Sequence, residues 1–295
     1  MTFRHIIAFF IGLTTASAIS DALTPDWTYL YARKDTCDLF MDIYEPARGS
    51  ATEVDGKAKP TIIFMFGGGF SEGERDCPRY AEWFSAMSED GFRIVSIDYR
   101  LGLKGVSSVG VRQANHLDRA IHLAVEDLFS ATSFLIQNSE TLGIDPENII
   151  VSGSSAGAIT ALQAEYEICN GTKWADLLPE GFNYAGVMSF AGAIFSRKGE
   201  LKFATSPCPI LIFHGTADKT VPYKQIKAGR LGFFGGSKIA ARLRKSGYGY
   251  VMYHFKGLDH EVSEYMYKTI PQQSDFILTD VMQAQVRTID ITVEN

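Results

Sequence analysis

The stretch "NIIVSGSSAGAITALQAEYEI", residues 148–168, decides the fold. Its first part, 148–153, is apolar and β-branched, as a strand buried on both faces requires. Its second part, 156–168, is rich in alanine with apolar residues at helical spacing, and reads as a helix. Between them lies Gly153-Ser154-Ser155-Ala156-Gly157, the pattern G-x-S-x-G centred on Ser155. A serine held at a sharp strand-to-helix turn needs small residues two positions to either side. Such a turn lifts the hydroxyl above a sheet edge, beside a helix N-terminus whose partial positive charge favours a developing anion. Ser152 and Ser154 compete for the role, but neither has glycines at both required positions.

Outward from that turn, strands and helices alternate. "DLFMDIYEP" (38–46) alternates around Leu39, Met41 and Ile43, and Pro46 stops it. Residues 61–66 and 92–99 form two more apolar strands. Between them Tyr80, Trp83, Phe84 and Met87 mark an amphipathic helix that starts near Pro78 and ends at Gly91. A loop over 101–114 leads into a long helix with Leu117, Ile121, Ala124, Val125, Leu128 and Leu135 on its buried face. Strands follow at 184–192, 209–215 and in "YGYVMYHF". A helix is expected over 224–246 and a closing one over 261–282. This order predicts an α/β fold, a mostly parallel central sheet with helices on both faces and right-handed crossovers. One domain is expected over 19–295, with at most a small cap insertion near 169–183.

The chain has 295 residues, 46% of them hydrophobic, enough for a full core. A formal net charge of −6 points away from nucleic acid and anionic membranes as partners. The N-terminus has one cation, Arg4, then "IIAFFIGLTTA" (6–16) and the A-x-A triplet Ala16-Ser17-Ala18. This is a signal-peptide pattern over 1–18, which predicts export and cleavage near Ala18. The apolar part is too short for a stable span, and no later segment is apolar enough for one. Cys37, Cys77, Cys169 and Cys208 match no metal-ligand spacing, and their pairing stays open. Oligomeric state is open as well.

A serine hydroxyl needs a base. Among the histidines after Ser155, His214 and His254 lie inside strands, whereas His260, in "GLDHEV", sits in a loop that can carry an imidazole over the sheet edge. His116 and His122 fall on the long helix and read as packing residues. Asp218, in the loop after "PILIFHG", is the expected acid; it follows Ser155 by 218 − 155 = 63 residues and precedes His260 by 260 − 218 = 42. Asp259 competes, but an immediate neighbour reaches Nδ1 of the next residue poorly. Acyl transfer also needs two or more N–H donors for the oxyanion. Ala156 supplies one, and the loop Gly67-Gly68-Gly69 after strand 61–66 is the second source, since glycine lets backbone close on a ligand.

These motifs resemble the carboxylesterases of the α/β-hydrolase fold, on the side shared by hormone-sensitive-lipase-like and secreted bacterial carbohydrate esterases. The resemblance covers about residues 35–285. It rests on "FGGGF" (66–70), "SIDYRL" (96–101), "IDPENIIVSGSSAGA" (144–158), "HGTADKTVP" (214–222) and "GLDH" (257–260). It implies a Ser155–Asp218–His260 triad, oxyanion N–H groups from Gly68, Gly69 and Ala156, and no metal or cofactor. It points to short-chain or carbohydrate-linked esters, such as acetyl or feruloyl groups. Phe66 stands where the family's glycine motif usually has His, and is expected to brace the loop by packing. Phe70 and Tyr223 are expected to line the substrate site. The alternatives are a serine peptidase of the same fold, separable by an amide assay, and a non-catalytic binding protein, separable by an active-site probe.

Overall fold

The computed structural model describes residues 23–106 and 112–294. The signal-peptide expectation, 1–18, lies outside them, as does part of the 101–114 loop. Among the described residues fourteen strands run in chain order. They are β1 (Trp27–Lys34), β2 (Cys37–Tyr44), β3 (Glu53–Val54), β4 (Lys57–Ala58), β5 (Thr61–Met65), β6 (Arg93–Ile97) and β7 (Ile149–Ser154). After these come β8 (Gly186–Phe190), β9 (Ala193–Ser196), β10 (Ile210–Gly215), β11 (Gln225–Ala228), β12 (Leu231–Gly235), β13 (Tyr250–Phe255) and β14 (Thr288–Val293). The α-helices are α1 (Ala81–Glu89), α2 (Arg112–Gln137), α3 (Ser139–Leu142), α4 (Ala156–Cys169), α5 (Gly236–Ser246) and α6 (Ile270–Phe276).

Nine strands form the central sheet in the order β1-β2-β6-β5-β7-β8-β10-β13-β14. Only the β1–β2 and β2–β6 pairs are antiparallel. The inner strands β5, β7, β8 and β10 are buried along their whole length, which is why they read as unbroken apolar runs rather than alternating ones. Helices α2, α4 and α5 pack on one face, and α1 and α6 on the other, where Trp83 Nε1 donates to Gln273 Oε1 at 2.8 Å. Because the inner strands are parallel and in register (Met65 beside Gly153, Ser154 beside Phe190, Gly215 beside Phe255), their following loops all emerge at one edge.

Two expectations are corrected. The helix expected over 224–246 begins only at Gly236. Its first half is the hairpin β11–β12, which pairs with β9 in a separate three-stranded sheet, order β11-β12-β9. The helix expected over 261–282 is broken into 3-10 turns at His260–Glu264 and Tyr267–Thr269, then α6 and a π-helical stretch at Ile277–Met282. Beyond it β14 adds a parallel edge strand next to β13. Finally, segment 169–183 leaves the far end of α4, a 14-residue helix and so about 20 Å long. It packs against α2, where Ser133 Oγ donates to Leu177 O and Trp174 stacks on His122. The four cysteines are free thiols. No helix among the described residues is long and apolar enough to cross a membrane.

Candidate active site

Ser155 sits between β7 and α4 with φ 50° and ψ −110°, a strained backbone for a residue with a side chain. Its glycine neighbours make that turn feasible. A Cβ on Gly153 would lie 2.3 Å from Gly157 C, and a Cβ on Gly157 would lie 2.0 Å from Met65 O. The Ser155 N–H is tied to Phe190 O at 2.9 Å, so the hydroxyl is aimed by backbone on both sides.

Ser155 Oγ lies 2.8 Å from His260 Nε2, and His260 Nδ1 lies 2.8 Å from Asp218 Oδ2. The structure thus brings together the three residues read from chain order. Asp218 Oδ1 accepts the Thr220 and Val221 N–H groups at 2.9 and 2.8 Å. Burial pushes the Asp218 carboxyl up, but hydrogen bonds from His214 and His260 outweigh it and hold the group down to about 2. It is an anion throughout the ordinary pH range. The rival Asp259 faces elsewhere: its Oδ1 accepts the backbone N–H groups of His260 and Lys219 at 2.9 and 2.8 Å, and so anchors the turn that carries the imidazole.

His214, read as a strand side chain, is on β10 and fully buried, yet it also serves the site. Gly236 N–H points at its Nδ1 at 3.3 Å, so Nε2 carries the hydrogen. That Nε2 is 3.1 Å from Val221 O and 3.3 Å from Asp218 Oδ2, behind the acid. His254 bonds Tyr223 Oη at 2.7 Å and Asp290 Oδ1 at 3.0 Å on the sheet's far edge.

The glycine loop reaches the same place. Gly68 and Gly69 have φ 128° and 62°, a turn only glycine enters without strain. Gly67 N–H is committed to Tyr80 Oη at 2.9 Å. The N–H groups of Gly68 and Gly69 have no acceptor among the described residues, and Ala156 N–H is an unpaired donor of the first turn of α4. These three N–H groups are therefore free donors. Phe66 stacks on Tyr99 with centroids 4.3 Å apart, and Tyr99 Oη donates to Phe66 O at 2.8 Å. Phe66 braces the loop through this ring pair.

Two residues expected to line the substrate site do other work. Phe70 is 1% exposed and packs edge-on against Tyr99, so it offers no surface to a ligand. Tyr223 spends its hydroxyl on His254, and its ring braces His214 edge-on. Among the described residues no group of three or more His, Cys, Asp or Glu is placed to hold a metal ion.

A phospholipase/carboxylesterase family model matches residues 111–270, which include Ser155, Asp218 and His260. The chain belongs to the phospholipase/carboxylesterase family. A second family model, BD-FAE, matches residues 41–172, across the glycine loop and the serine turn. Relatives include esterase E4 of Myzus persicae, 32% identical over 124 residues, and the fumonisin B1 esterase of Sphingopyxis macrogoltabida, 28% identical over 121. Each match covers 41% of this chain and 20% and 21% of the relative, respectively, so the chain spans about a fifth of their length. Among solved structures, esterase 2 of Thermogutta terrifontis superposes with a TM-score of 0.61 over 86% of this chain and 94% of that one, at 21% identity. That likeness establishes the shared α/β-hydrolase fold, in which this member of the family carries its serine turn.

Proposed function

We propose that this protein is a serine carboxylesterase acting on short-chain or carbohydrate-linked esters. The observation that carries the reading is the continuous Ser155–His260–Asp218 hydrogen-bond chain. His260 Nε2 takes the Ser155 proton as Oγ attacks the ester carbonyl, while Asp218 accepts Nδ1–H and stabilises the imidazolium. The N–H groups of Gly68, Gly69 and Ala156 donate to the tetrahedral oxyanion. The alcohol leaves with the proton from Nε2. Water, deprotonated by the same nitrogen, then clears the acyl-enzyme. Every proton in the cycle is handled by His260, and no step calls for a metal or cofactor.

Short acyl groups are favoured because no large lid-like insertion is evident in the sequence. The carbohydrate-linked part of the proposal rests on the motif resemblance and on export. Export itself rests on residues 6–18 and is tested by N-terminal sequencing of the secreted protein, expected to begin at Ile19. The decisive experiment is p-nitrophenyl acetate hydrolysis by the wild type and Ser155→Ala. Hydrolysis is expected only in the wild type; equal turnover by the variant refutes the assignment. A panel of acetyl, butyryl, long-chain and feruloyl esters then ranks the acyl preference.

A further inference from the structure

Asp218 sits on a loop, the kind of segment that moves most. Its carboxylate must nevertheless stay within reach of His260 through every turnover. The start of the loop is fixed by backbone: Thr216 N–H donates to Phe255 O and Ala217 N–H to Leu258 O, both at 2.9 Å. The end is fixed by a side chain. His214 Nε2, on β10, lies 3.1 Å from Val221 O. Val221 N–H in turn donates to Asp218 Oδ1 at 2.8 Å. The same Nε2 is 3.3 Å from Asp218 Oδ2, the oxygen that meets His260 Nδ1 at 2.8 Å. The acid is thus flanked by two imidazoles. One faces Ser155, and the other is fully buried behind the acid.

The direction of these bonds follows from the first turn of α5. Gly236 N–H donates to His214 Nδ1 at 3.3 Å. An amide N–H can only donate, so Nδ1 is the acceptor and Nε2 carries the hydrogen. Val221 O takes that hydrogen, with Asp218 Oδ2 alongside. Glycine is what lets α5 come so close: a Cβ on Gly236 would lie 2.9 Å from His214 Nδ1 and 2.8 Å from Ile212 Cγ2. The Tyr223 ring stands edge-on to the imidazole, 5.8 Å between centroids. The other titratable groups nearby have partners of their own. His254, beside His214 in the β10–β13 register, holds Tyr223 Oη and Asp290 Oδ1, and Asp259 pairs with Lys219 Nζ at 3.1 Å. The side chains of His214 and Asp218 are both 0% exposed, so water does not compete between them.

We propose that His214 is a positioning residue, which pins the end of the Asp218 loop and gives Asp218 Oδ2 a second donor that moderates its pull on His260. The proposal rests on the esterase reading of this site. The sequence offers His214 only as a strand side chain. Its two roles have separate signatures. Loss of the pin lets the acid shift, and a misplacement of about 1 Å costs on the order of a hundredfold in rate. Loss of the second donor leaves the negative charge of Oδ2 to His260 alone. That favours the imidazolium, so the base keeps its proton to higher pH.

The test compares the full chain as wild type, His214→Phe and His214→Gln. Rates on p-nitrophenyl acetate are measured between pH 5 and pH 9, on samples whose near-ultraviolet circular dichroism matches wild type. His214→Phe keeps a ring and loses both nitrogens. It is expected to lower kcat roughly 10- to 100-fold with KM changed less than about twofold. It should also move the acid limb of kcat/KM upward by about half a pH unit. His214→Gln keeps an N–H donor near the Nε2 position. It should hold kcat within about fivefold of wild type and return the acid limb to its wild-type place. His214→Phe with kcat within twofold of wild type and an unmoved acid limb overturns the proposal. So do equal losses in both variants with the limb unmoved, the mark of a residue that only fills space. Should neither variant fold, nitrogen-15 histidine spectra of the wild type decide: hydrogen on His214 Nε2 is expected, and hydrogen on Nδ1 overturns the proposal. If the wild type hydrolyses no ester, the esterase reading fails, and the spectra alone judge the bond from His214 to the acid loop.

Discussion

Gly157→Ala tests how tightly the serine turn is built into this sheet. A Cβ at Gly157 would lie 2.0 Å from Met65 O, 2.5 Å from Met65 C and 2.8 Å from Phe66 O. Cβ contacts under 3.0 Å essentially never occur, so backbone must move by at least 3.0 − 2.0 = 1.0 Å. Met65 cannot supply the movement cheaply, because β5 is laddered to β6 on one side and β7 on the other. The displacement falls on the first turn of α4 or on the loop after Met65. The first carries Ser155 and Ala156 N–H, and the second carries Gly68 and Gly69. Either way the nucleophile and the oxyanion donors part by about 1 Å, which is worth on the order of 10² in kcat. Overpacking of this kind costs about 1–3 kcal/mol, a fall in Tm of about 2–5 °C for a chain this size. The assay is p-nitrophenyl acetate turnover with a thermal melt, run beside Gly249→Ala as control. A Cβ at Gly249 meets nothing closer than 3.6 Å, so the control should keep wild-type kcat. Gly157→Ala with kcat within threefold of wild type and an unchanged Tm would refute the packing account of the motif.

Two further predictions concern charge. Asp218→Asn should lower kcat on the order of 10³–10⁴-fold, because an amide no longer holds the His260 tautomer. The same variant should lose a pH-dependent contribution to stability. The folded carboxyl sits at about 2, below its ordinary 3.8, so it stabilises the wild type above pH 3.8 and that contribution is lost as pH falls through about 2. The shift corresponds to about 2 kcal/mol. Urea midpoints at pH 5 and pH 2 should converge more in Asp218→Asn than in the wild type, and equal slopes contradict the prediction. His122 behaves in the opposite sense. Burial lowers it, but hydrogen bonds to Asp118 and Glu167 prevail and raise it from 6.5 to about 9. Its contribution, about 3 kcal/mol at most, is present below pH 6.5 and lost as pH rises through about 9. His122→Gln should flatten the fall in urea midpoint between pH 6 and pH 10, and a fall as steep as wild type rules that ion cluster out as the cause.

Much of the site was legible because its signals are local. Gly153 flanks Ser155 for a steric reason that acts within five residues, the approach of Gly157, whereas Gly157 is required by the distant Met65 and only its spacing is local. Strands such as 149–154 and 210–215 announce themselves by unbroken apolar runs, since burial on both faces leaves no polar side. Asp218 and His260 follow from chain order once the serine turn is placed. The failures are as instructive. Residues 225–235 were expected in a helix, but Phe233 and Phe234 pair with Phe195 and Ile194 on a strand nearly forty residues earlier. Local periodicity carries no trace of such a partner. Residues 261–282 have helical composition, but Pro271 and the turn that presents His260 break the run into short pieces. The strand β14, "TIDITV", alternates in burial as an edge strand should, and its period-2 pattern was there to be read.

Composition and order along the chain determined the fold class and singled out Ser155, Asp218 and His260, because strand burial and the serine turn impose requirements on neighbouring residues. The tertiary structure decided everything that depends on groups far apart in sequence. It turned Asp259 toward backbone rather than the imidazole, set His214 behind the acid and withdrew Phe70 from any ligand. It also paired Gly67 N–H with Tyr80, 13 residues away, and Ser154 with Ser263, 109 residues away, in two buried hydrogen bonds. Hydrogen bonds at such separations form only when the sheet has already brought the strand ends to a common edge, and no window of sequence contains both partners.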